Sequence, residues 1–389
     1  MELSNNQQKV AIKIDEELCS SCAICAAACP FEAIKKDTET GKMLLEIGKC
    51  QVCSICYSSC PAGAIDVVYY DLDSLADYLT KAQQKYKSDS LLIMCKGCAP
   101  DFQDVEKLFG ISESIPLSVP CVGRVPVELF LKAIIMGIKS INILACDDDY
   151  CRFEQGSLLA GRRAMVFNLL LEQLGYGKDV IKLKRNSLKV KVDREKCIAC
   201  GNCAFYCPYD AAKLESGAAT FDLELCRGCG LCVTLCPAFA LDLEHWEEDR
   251  ISALISKLSA DMKAPKVLIF RCQWATFPPL GEEEFDSNVR VIDLPCAARV
   301  DPLHIVEAFA SGIDGVLVVA CLEEDCKSKV GSKEAQKSVT ALRKTLSHIG
   351  FEERLHFCTV APRYPETFYE ELRQFRERIE NDYSKEAKQ

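Results

Sequence analysis

Sixteen of the 26 cysteines stand in four runs that share one spacing. In each run three cysteines recur every third residue, and a fourth follows four positions later, directly before a proline. The runs are Cys19, Cys22, Cys25, Cys29; Cys50, Cys53, Cys56, Cys60; Cys197, Cys200, Cys203, Cys207; and Cys226, Cys229, Cys232, Cys236. Three thiolates at this spacing wrap one face of an iron–sulfur cubane, whereas structural zinc sites usually join two C-x-x-C pairs over a longer span. The runs therefore predict four [4Fe–4S] clusters.

The fourth cysteine of each run is expected to serve a different cluster from the first three, as in two-cluster ferredoxins. The proline after it lacks an N–H and fixes its own φ, so it ends the loop. The predicted ligand sets are Cys19, Cys22, Cys25 with Cys60; Cys50, Cys53, Cys56 with Cys29; Cys197, Cys200, Cys203 with Cys236; and Cys226, Cys229, Cys232 with Cys207.

The cysteine pattern of the first half of the chain returns in the second half at offsets of 175 to 178 residues. Pro120-Cys121 with Arg124-Val125 matches Pro295-Cys296 with Arg299-Val300 at an offset of 175. Such a repeat predicts a tandem duplication. We expect a multidomain α+β and α/β protein in which two bacterial two-cluster ferredoxin folds alternate with two small parallel-sheet α/β domains. The predicted domains are ferredoxin modules at 8–70 and 188–245, and α/β domains at 88–185 and 264–375.

The joints between the predicted domains are polar, at about Asp71 to Ser90, Lys182 to Ser187 and Glu244 to Pro265. The last contains an amphipathic stretch, Ile251 to Met262, which predicts a helical spacer. The charged tail after Tyr369 is expected to form a surface helix that frays.

Eight further cysteines stand at or near the ends of predicted strands in the α/β domains. Strands that alternate with helices form parallel sheets, whose ligand sites lie beyond the carboxyl ends of the strands. The candidate metal ligands are Cys95, Cys121, Cys146, Cys151 and Cys272, Cys296, Cys321, Cys326. Four thiolates suit a [2Fe–2S] cluster; buried packing cysteines, a disulfide or zinc are the alternatives. Cys358 has no counterpart in the first half, and we interpret it as a packing residue.

Arg124 and Arg299 each follow one of these cysteines by three residues. A cation at this position could contact the cofactor and stabilise its reduced, more negative state. A structural ion pair is the alternative.

Composition limits the function further. The net charge is -10 and the pI about 5.2, which disfavours a nucleic-acid partner. The most apolar segment, Val127 to Cys146, contains Glu128, Lys132 and Lys139, so no membrane span is expected.

The polar start of the sequence and the many cysteines predict a cytoplasmic protein in which cysteines bind metal. Neither a dinucleotide fingerprint nor a P-loop occurs.

The motifs P-C-x-x-R-V and A-C-x-x-x-x-C in the α/β domains resemble the delta subunit of methyl-viologen-reducing hydrogenase. The second domain is the more similar copy, from Cys272 to about Pro362. The resemblance implies one or two [2Fe–2S] clusters and a flavin-containing partner of the heterodisulfide-reductase type. It also implies an electron donor such as a hydrogenase, a formate dehydrogenase or another dehydrogenase. The first copy departs from the second in having Cys98 where the second has Ala275, and Cys98 is predicted to be a spare or swapped ligand.

The predicted function is an iron–sulfur electron-transfer subunit of a cytoplasmic complex, of the kind that anaerobes use. Two alternatives remain open at this point. The strand-end cysteines could form a catalytic oxidoreductase site, which Cys98 favours, or the chain could be a free soluble polyferredoxin.

Overall fold

The computed structural model of the protein describes residues 9–98, 102–280 and 285–386. The chain forms two units. The first consists mainly of Val10–Ser187, and the second of Leu188–Phe277 together with residues 285–386.

The first unit opens with four short strands and two helices of about one turn that surround the first two cysteine runs. Strand β1 pairs with β4, and β2 pairs with β3, both antiparallel. The elements are β1 (Ile12–Ile14), α1 (Ile24–Ala27), β2 (Ile34–Lys36), β3 (Met43–Leu45), α2 (Ile55–Ser59) and β4 (Ile65–Val67).

A four-stranded parallel sheet with the strand order β6-β5-β7-β8 completes this unit. Its centre is built from wholly buried aliphatic residues such as Leu91, Leu92 and Ile93, the continuous apolar run expected of a strand covered on both faces. The elements are α3 (Leu72–Tyr86), β5 (Ser90–Cys95), α4 (Phe102–Phe109), β6 (Ile115–Val119), α5 (Val127–Ile135), β7 (Ser140–Ala145), α6 (Gly156–Gln173) and β8 (Ile181–Arg185).

The second unit has a similar order of elements, without a described helix between the first two strands of its parallel sheet and with an additional helix at its end. Strand β9 pairs with β12 and β10 with β11, both antiparallel, and a parallel sheet follows in the order β14-β13-β15-β16. The elements are β9 (Val190–Val192), α7 (Asn202–Tyr206), β10 (Ala212–Glu215), β11 (Ala218–Phe221), α8 (Leu231–Thr234), β12 (Leu241–Leu243), α9 (Glu248–Ala260), β13 (Val267–Cys272), β14 (Val289–Leu294), α10 (Pro302–Ala310), β15 (Gly315–Cys321), α11 (Gly331–Leu346), β16 (Leu355–Val360) and α12 (Pro365–Glu386).

The parallel α/β sheets and the helical spacer that the sequence predicted are confirmed. The strands of each sheet end on one side, so residues that follow them meet at one edge. Cys95, Cys272 and Cys321 are the last residues of β5, β13 and β15.

Two of the predicted polar joints contain regular secondary structure. Asp71 to Ser90 contains helix α3, which begins at an Asp71 cap and buries Leu75 and Leu79, so its polar residues are only the outer face of a packed helix. Lys182 to Ser187 falls largely in β8, an edge strand whose alternate lysines point outward.

The prediction of a helix after Tyr369 is confirmed, but this helix begins at Pro365 and has one packed face. Helix α12 buries Phe368, Leu372, Phe375 and Ile379, which recur at the three- and four-residue spacing of one helix face. Its many charges lie on the opposite face. Cys358, predicted to be a packing residue, is a buried member of the edge strand β16.

Candidate metal centres

The loops of the four cysteine runs share an unusual backbone conformation. In every run the residues just before and just after the middle cysteine have positive φ values. These pairs are Ser21 and Ala23, Val52 and Ser54, Ala199 and Gly201, and Gly228 and Gly230. Only three of the eight are glycine, so the other five hold a left-handed conformation that costs energy in the absence of compensation. The loop turns sharply on both sides of the middle cysteine, which brings three thiols to one face.

In the first unit the structure brings together thiols from different runs. Cys25 lies close enough to Cys19 and Cys60 for charges on the three sulfurs to interact. Cys53 and Cys56 lie in the same way beside Cys50 and Cys29. These neighbours are the members of the two crossed sets, although ligation itself stays a prediction.

The second unit shows the same arrangement. One cavity is lined by Cys197, Cys200, Cys203 and Cys236, together with apolar residues such as Ile198 and Leu241. Cys207 instead lies near Cys226 and Cys232. The fourth cysteine of each run thus faces the thiols of the other run.

Burial controls the protonation of these thiols. It raises the pKa of Cys53 to about 12 and that of Cys56 well above its usual value, and nearby cysteine charges act in the same direction. Burial also raises the pKa of Cys232. These three thiols therefore keep their protons at neutral pH, and metal binding must displace them. Cluster assembly is favoured as the pH rises for this reason.

The four strand-end cysteines of the second sheet line one cavity, which also contains Trp274 and Ser332. The Sγ atoms of Cys272 and Cys321 are 3.5 Å apart. Cys296 lies within hydrogen-bond range of Cys272 on one side and of Cys326 on the other. The four thiols therefore form two neighbouring pairs.

The first sheet gathers five thiols at the corresponding edge. Cys95 and Cys98 each have their Sγ 3.5 Å from that of Cys146. Cys151 lies within hydrogen-bond range of both Cys121 and Cys146. The sulfurs of Cys95, Cys98 and Cys146 all lie within 4.8 Å of one another.

Two glycines at the starts of long helices leave room for the sulfurs of two of these cysteines. A Cβ atom on Gly156 would lie 2.2 Å from Cys121 Sγ, and one on Gly331 would lie 2.4 Å from Cys296 Sγ. Helix α11, which begins at Gly331, also donates the Ser332 N–H to Cys326 Sγ at 3.3 Å. A helix N-terminus stabilises a thiolate through such N–H groups and its dipole. The sequence showed that these glycines repeat but did not reveal their role.

The two kinds of site adjoin each other within each unit. Cys121 is close enough to Cys53 for their charges to interact. In the second unit Cys229 and Cys296 belong to one buried cluster that also contains Leu231 and Ala298. The sequence did not predict this neighbourhood, because it joins residues that are 67 or 68 positions apart through tertiary packing.

Arg124 is wholly buried at the contact between the two sites of the first unit. Its Nη2 donates to Ser54 Oγ at 2.9 Å and to the carbonyl of Tyr69, and its guanidinium lies over the ring of Tyr70. Ser54 belongs to the loop that carries Cys53 and Cys56, so Arg124 reaches the cubane loop from the α/β domain.

Arg299 occupies the corresponding place in the second unit and is also wholly buried. Its Nη2 donates to Trp246 O at 3.0 Å and to Glu248 Oε2 at 2.9 Å. Its side chain lies against Gly230, where a Cβ would come within 2.6 Å of Arg299 Cδ. The loop between Cys229 and Cys232 therefore needs glycine at this position.

The donor sets fit iron–sulfur clusters. All the candidate ligands are thiols, gathered in fours or fives, and thiolate is the ligand that such clusters use. In addition, Nε and Nη1 of both Arg124 and Arg299 are buried and have no hydrogen-bond partner among the described residues. Buried donors of this kind are costly unless an acceptor is supplied, and cluster sulfides are acceptors.

Comparison with known proteins identifies the family. Residues 91–198 and 267–381, more than half of the chain, match the family described as methyl-viologen-reducing hydrogenase, delta subunit. The chain belongs to this delta-subunit family. Residues 190–243 match a 4Fe-4S dicluster domain, and residues 12–35 match a 4Fe-4S binding domain. The predicted family and the iron–sulfur character of the protein are confirmed.

Relatives of the delta-subunit protein fall into two groups. One subunit of the ferredoxin:CoB-CoM heterodisulfide reductase of Methanosarcina mazei is 30% identical over 272 residues, which is 68% of this chain and 31% of the relative. The iron-sulfur subunit of the F420-non-reducing hydrogenase of Archaeoglobus profundus is 33% identical over 93 residues, which is 23% of this chain and 68% of the relative. The chain thus aligns with about a third of the length of the heterodisulfide reductase relative.

Within the described residues, no helix combines the length and apolar character needed to cross a membrane.

Proposed function

We propose that this delta-subunit protein is an electron-transfer subunit in which each unit joins a two-cluster ferredoxin module to an α/β cluster site. The observation that carries the proposal is that the two kinds of site adjoin each other. In one unit Arg124 donates from the α/β domain to Ser54 in the cubane loop, and in the other Cys229 and Cys296 share one buried cluster. A merely structural metal site would not need a neighbour of the other kind in both units.

The proposed cofactors are four [4Fe–4S] clusters in the crossed ligand sets and a [2Fe–2S] cluster at each α/β site. Each such cluster, when bound, would take up or release one electron. Two thiolates on one tetrahedral metal lie about 3.8 Å apart when each metal–sulfur bond is about 2.3 Å. The separation of 3.5 Å between Cys272 and Cys321 supports their sharing one iron, with Cys296 and Cys326 on the other.

The proposed architecture is a tandem duplication with the domains 8–70, 88–185, 188–245 and 264–375. The identical order of strands in the two parallel sheets supports it. So do the matching pairs of positive-φ residues in the four loops.

Arg124 and Arg299 have a proposed role in binding the cofactors. Each brings a desolvated positive charge to the contact between two sites, and each keeps buried N–H groups available. Such a cation favours the reduced form of a cluster and raises its potential. The ion pair of Arg299 with Glu248 shows that the second arginine also has a structural task.

The proposed partners are an electron-donating hydrogenase or dehydrogenase and a flavin-containing subunit of the heterodisulfide-reductase type, in a cytoplasmic complex. Support comes from the names of the relatives, which are subunits of a hydrogenase and of a heterodisulfide reductase.

A catalytic oxidoreductase is the second candidate. The observation that favours it is the group of three thiols formed by Cys95, Cys98 and Cys146, since adjacent thiols can reduce a disulfide substrate. The acceptor would then be a small or protein disulfide, and a Cys–Cys disulfide would form as it is reduced.

Counting electrons separates the two candidates. A coulometric titration of the anaerobically purified full chain should show about six one-electron equivalents, one for each cluster. The Cys98→Ala variant should give the same count within about one equivalent. A two-electron step that disappears in Cys98→Ala, together with turnover of a disulfide substrate, would contradict the electron-transfer proposal and favour catalysis.

A further inference from the structure

The two α/β sites differ at one position where the backbone is the same. In the first site the Cys98 N–H donates to Cys95 O at 3.1 Å, and in the second the Ala275 N–H donates to Cys272 O at 2.9 Å. The residue after each strand also bonds in the same way, Lys96 to Val119 and Gln273 to Leu294. The turn therefore forms equally well with cysteine or with alanine.

Both residues at this position are wholly buried, yet only Cys98 places a sulfur among the strand-end thiols. Its Sγ is 3.5 Å from Cys146 Sγ, the same distance that separates Cys95 Sγ from Cys146 Sγ. Cys98 Sγ also lies 3.8 Å from Leu144 O and within 4.8 Å of Cys95 Sγ. Packing alone does not account for the sulfur, because Ala275 fills the equivalent place with a methyl group.

We propose that Cys98 is a fifth, exchangeable ligand of the first α/β site, where it competes with Cys95 for the metal that Cys146 also binds. The inference rests on the proposed cluster at this site. Either pair, Cys95 with Cys146 or Cys98 with Cys146, has a separation near the roughly 3.8 Å of two thiolates on one tetrahedral metal. The second site has no alternative ligand at this position, because the side chain of Ala275 has no atom that can bind a metal.

The exchange of ligands needs no oxidant or reductant. One iron–sulfur bond breaks at Cys95 and one forms at Cys98, while one proton passes from the Cys98 thiol to the released Cys95 sulfur. No electron is gained or lost. The first site can therefore keep a full set of four thiolates after losing Cys95, whereas the second site has no replacement for Cys272.

The test isolates each site within the full chain. In a Cys326→Ser background, in which the second site lacks a ligand, the first site should give the [2Fe–2S] electron paramagnetic resonance signal. Adding Cys98→Ala should leave the spin integral unchanged, because Cys95 remains. Adding Cys95→Ser should keep most of the integral with altered g values, because Cys98 takes its place. Adding both should lower the integral by more than about tenfold.

The second site is the matched control. In a Cys98→Ala/Cys121→Ser background, which leaves the first site only three thiols, Cys272→Ser should abolish the signal, because the second site has no fifth thiol. Circular dichroism on each variant should show unchanged folding, so that a lost signal reports ligation. Loss of the signal with Cys95→Ser alone, or its survival with Cys272→Ser, would overturn the inference. A Cys326→Ser protein with no binuclear signal at all would instead contradict the proposed cluster on which the inference rests.

Discussion

Replacement of Cys60 by serine should remove the cubane of Cys19, Cys22 and Cys25 and spare the one held by the first three cysteines of its own run. The physical reason is that the structure places Cys60 beside Cys25 and Cys19. A serine oxygen is a poorer ligand than a thiolate for iron in these clusters. About four of the 16 cubane irons should be lost, with the corresponding electron paramagnetic resonance signal.

Cys29→Ser is the reciprocal control, since Cys29 lies beside Cys53 and Cys56. The Cys60→Ser spectrum should match that of Cys22→Ser, and the Cys29→Ser spectrum should match that of Cys53→Ser. If the spectrum of Cys60→Ser instead matched that of Cys53→Ser, each run would hold its own cluster and the crossed assignment would be wrong.

Gly156→Ala should eliminate the cluster of the first α/β site while leaving the four cubanes in place. The added Cβ would lie 2.2 Å from Cys121 Sγ and 3.5 Å from Cys151 Sγ, so it must displace a proposed ligand. We expect the first-site [2Fe–2S] signal to fall by more than about tenfold. The free energy of unfolding should drop by about 1 to 3 kcal/mol, as for other overpacked sites.

Gly161→Ala on the same helix provides a matched comparison. Its added Cβ would approach only Arg185 Nη2, at 3.2 Å, and that side chain can move. Helix propensity favours alanine by up to about 1 kcal/mol in both variants, so the contrast isolates the contact with sulfur. Equal cluster content in the two variants would mean that Gly156 is not needed to make room for the Cys121 sulfur.

The features that could be predicted from the sequence are those that depend on local spacing. The uniform runs of cysteines indicated cubane ligands, and the alternation of apolar strands with helices indicated parallel sheets. The placement of Cys95 at the carboxyl edge of the first sheet, and of Cys272 and Cys321 at that of the second, followed from the geometry of parallel strands, because all such strands end on the same side. These conclusions needed no knowledge of tertiary packing.

Other features depend on packing between distant segments. Strand β8 lies at a sheet edge and has the mixed composition of a half-exposed strand, so its charged residues resembled a linker. Helix α12 seemed to be a frayed tail because its charges outnumber the four buried residues that hold it. Composition alone does not distinguish one buried helix face from a wholly exposed helix.

Only part of the role of Arg124 could be predicted from the sequence, for the same reason. Its place three residues after Cys121 suggested a cofactor contact, but its bond to Ser54 in the cubane loop joins residues 70 positions apart. Nothing in the sequence singled out Arg163. In the structure it donates hydrogen bonds to Ser58 and to Gly123 O, and so links helix α6 to the segment that carries the second cysteine run. An arginine in an amphipathic helix gives no sign of such a partner before the fold is known.

The most direct test of the iron–sulfur assignment is the content of iron and acid-labile sulfide in the full chain, purified anaerobically, with Mössbauer spectra to separate the cluster types. The four crossed sets predict about 16 iron atoms in cubanes, and a binuclear cluster at each of the two α/β sites predicts about four more. An iron content near eight, or cubane iron without any binuclear iron, would contradict the assignment in the ferredoxin modules or in the α/β sites, respectively.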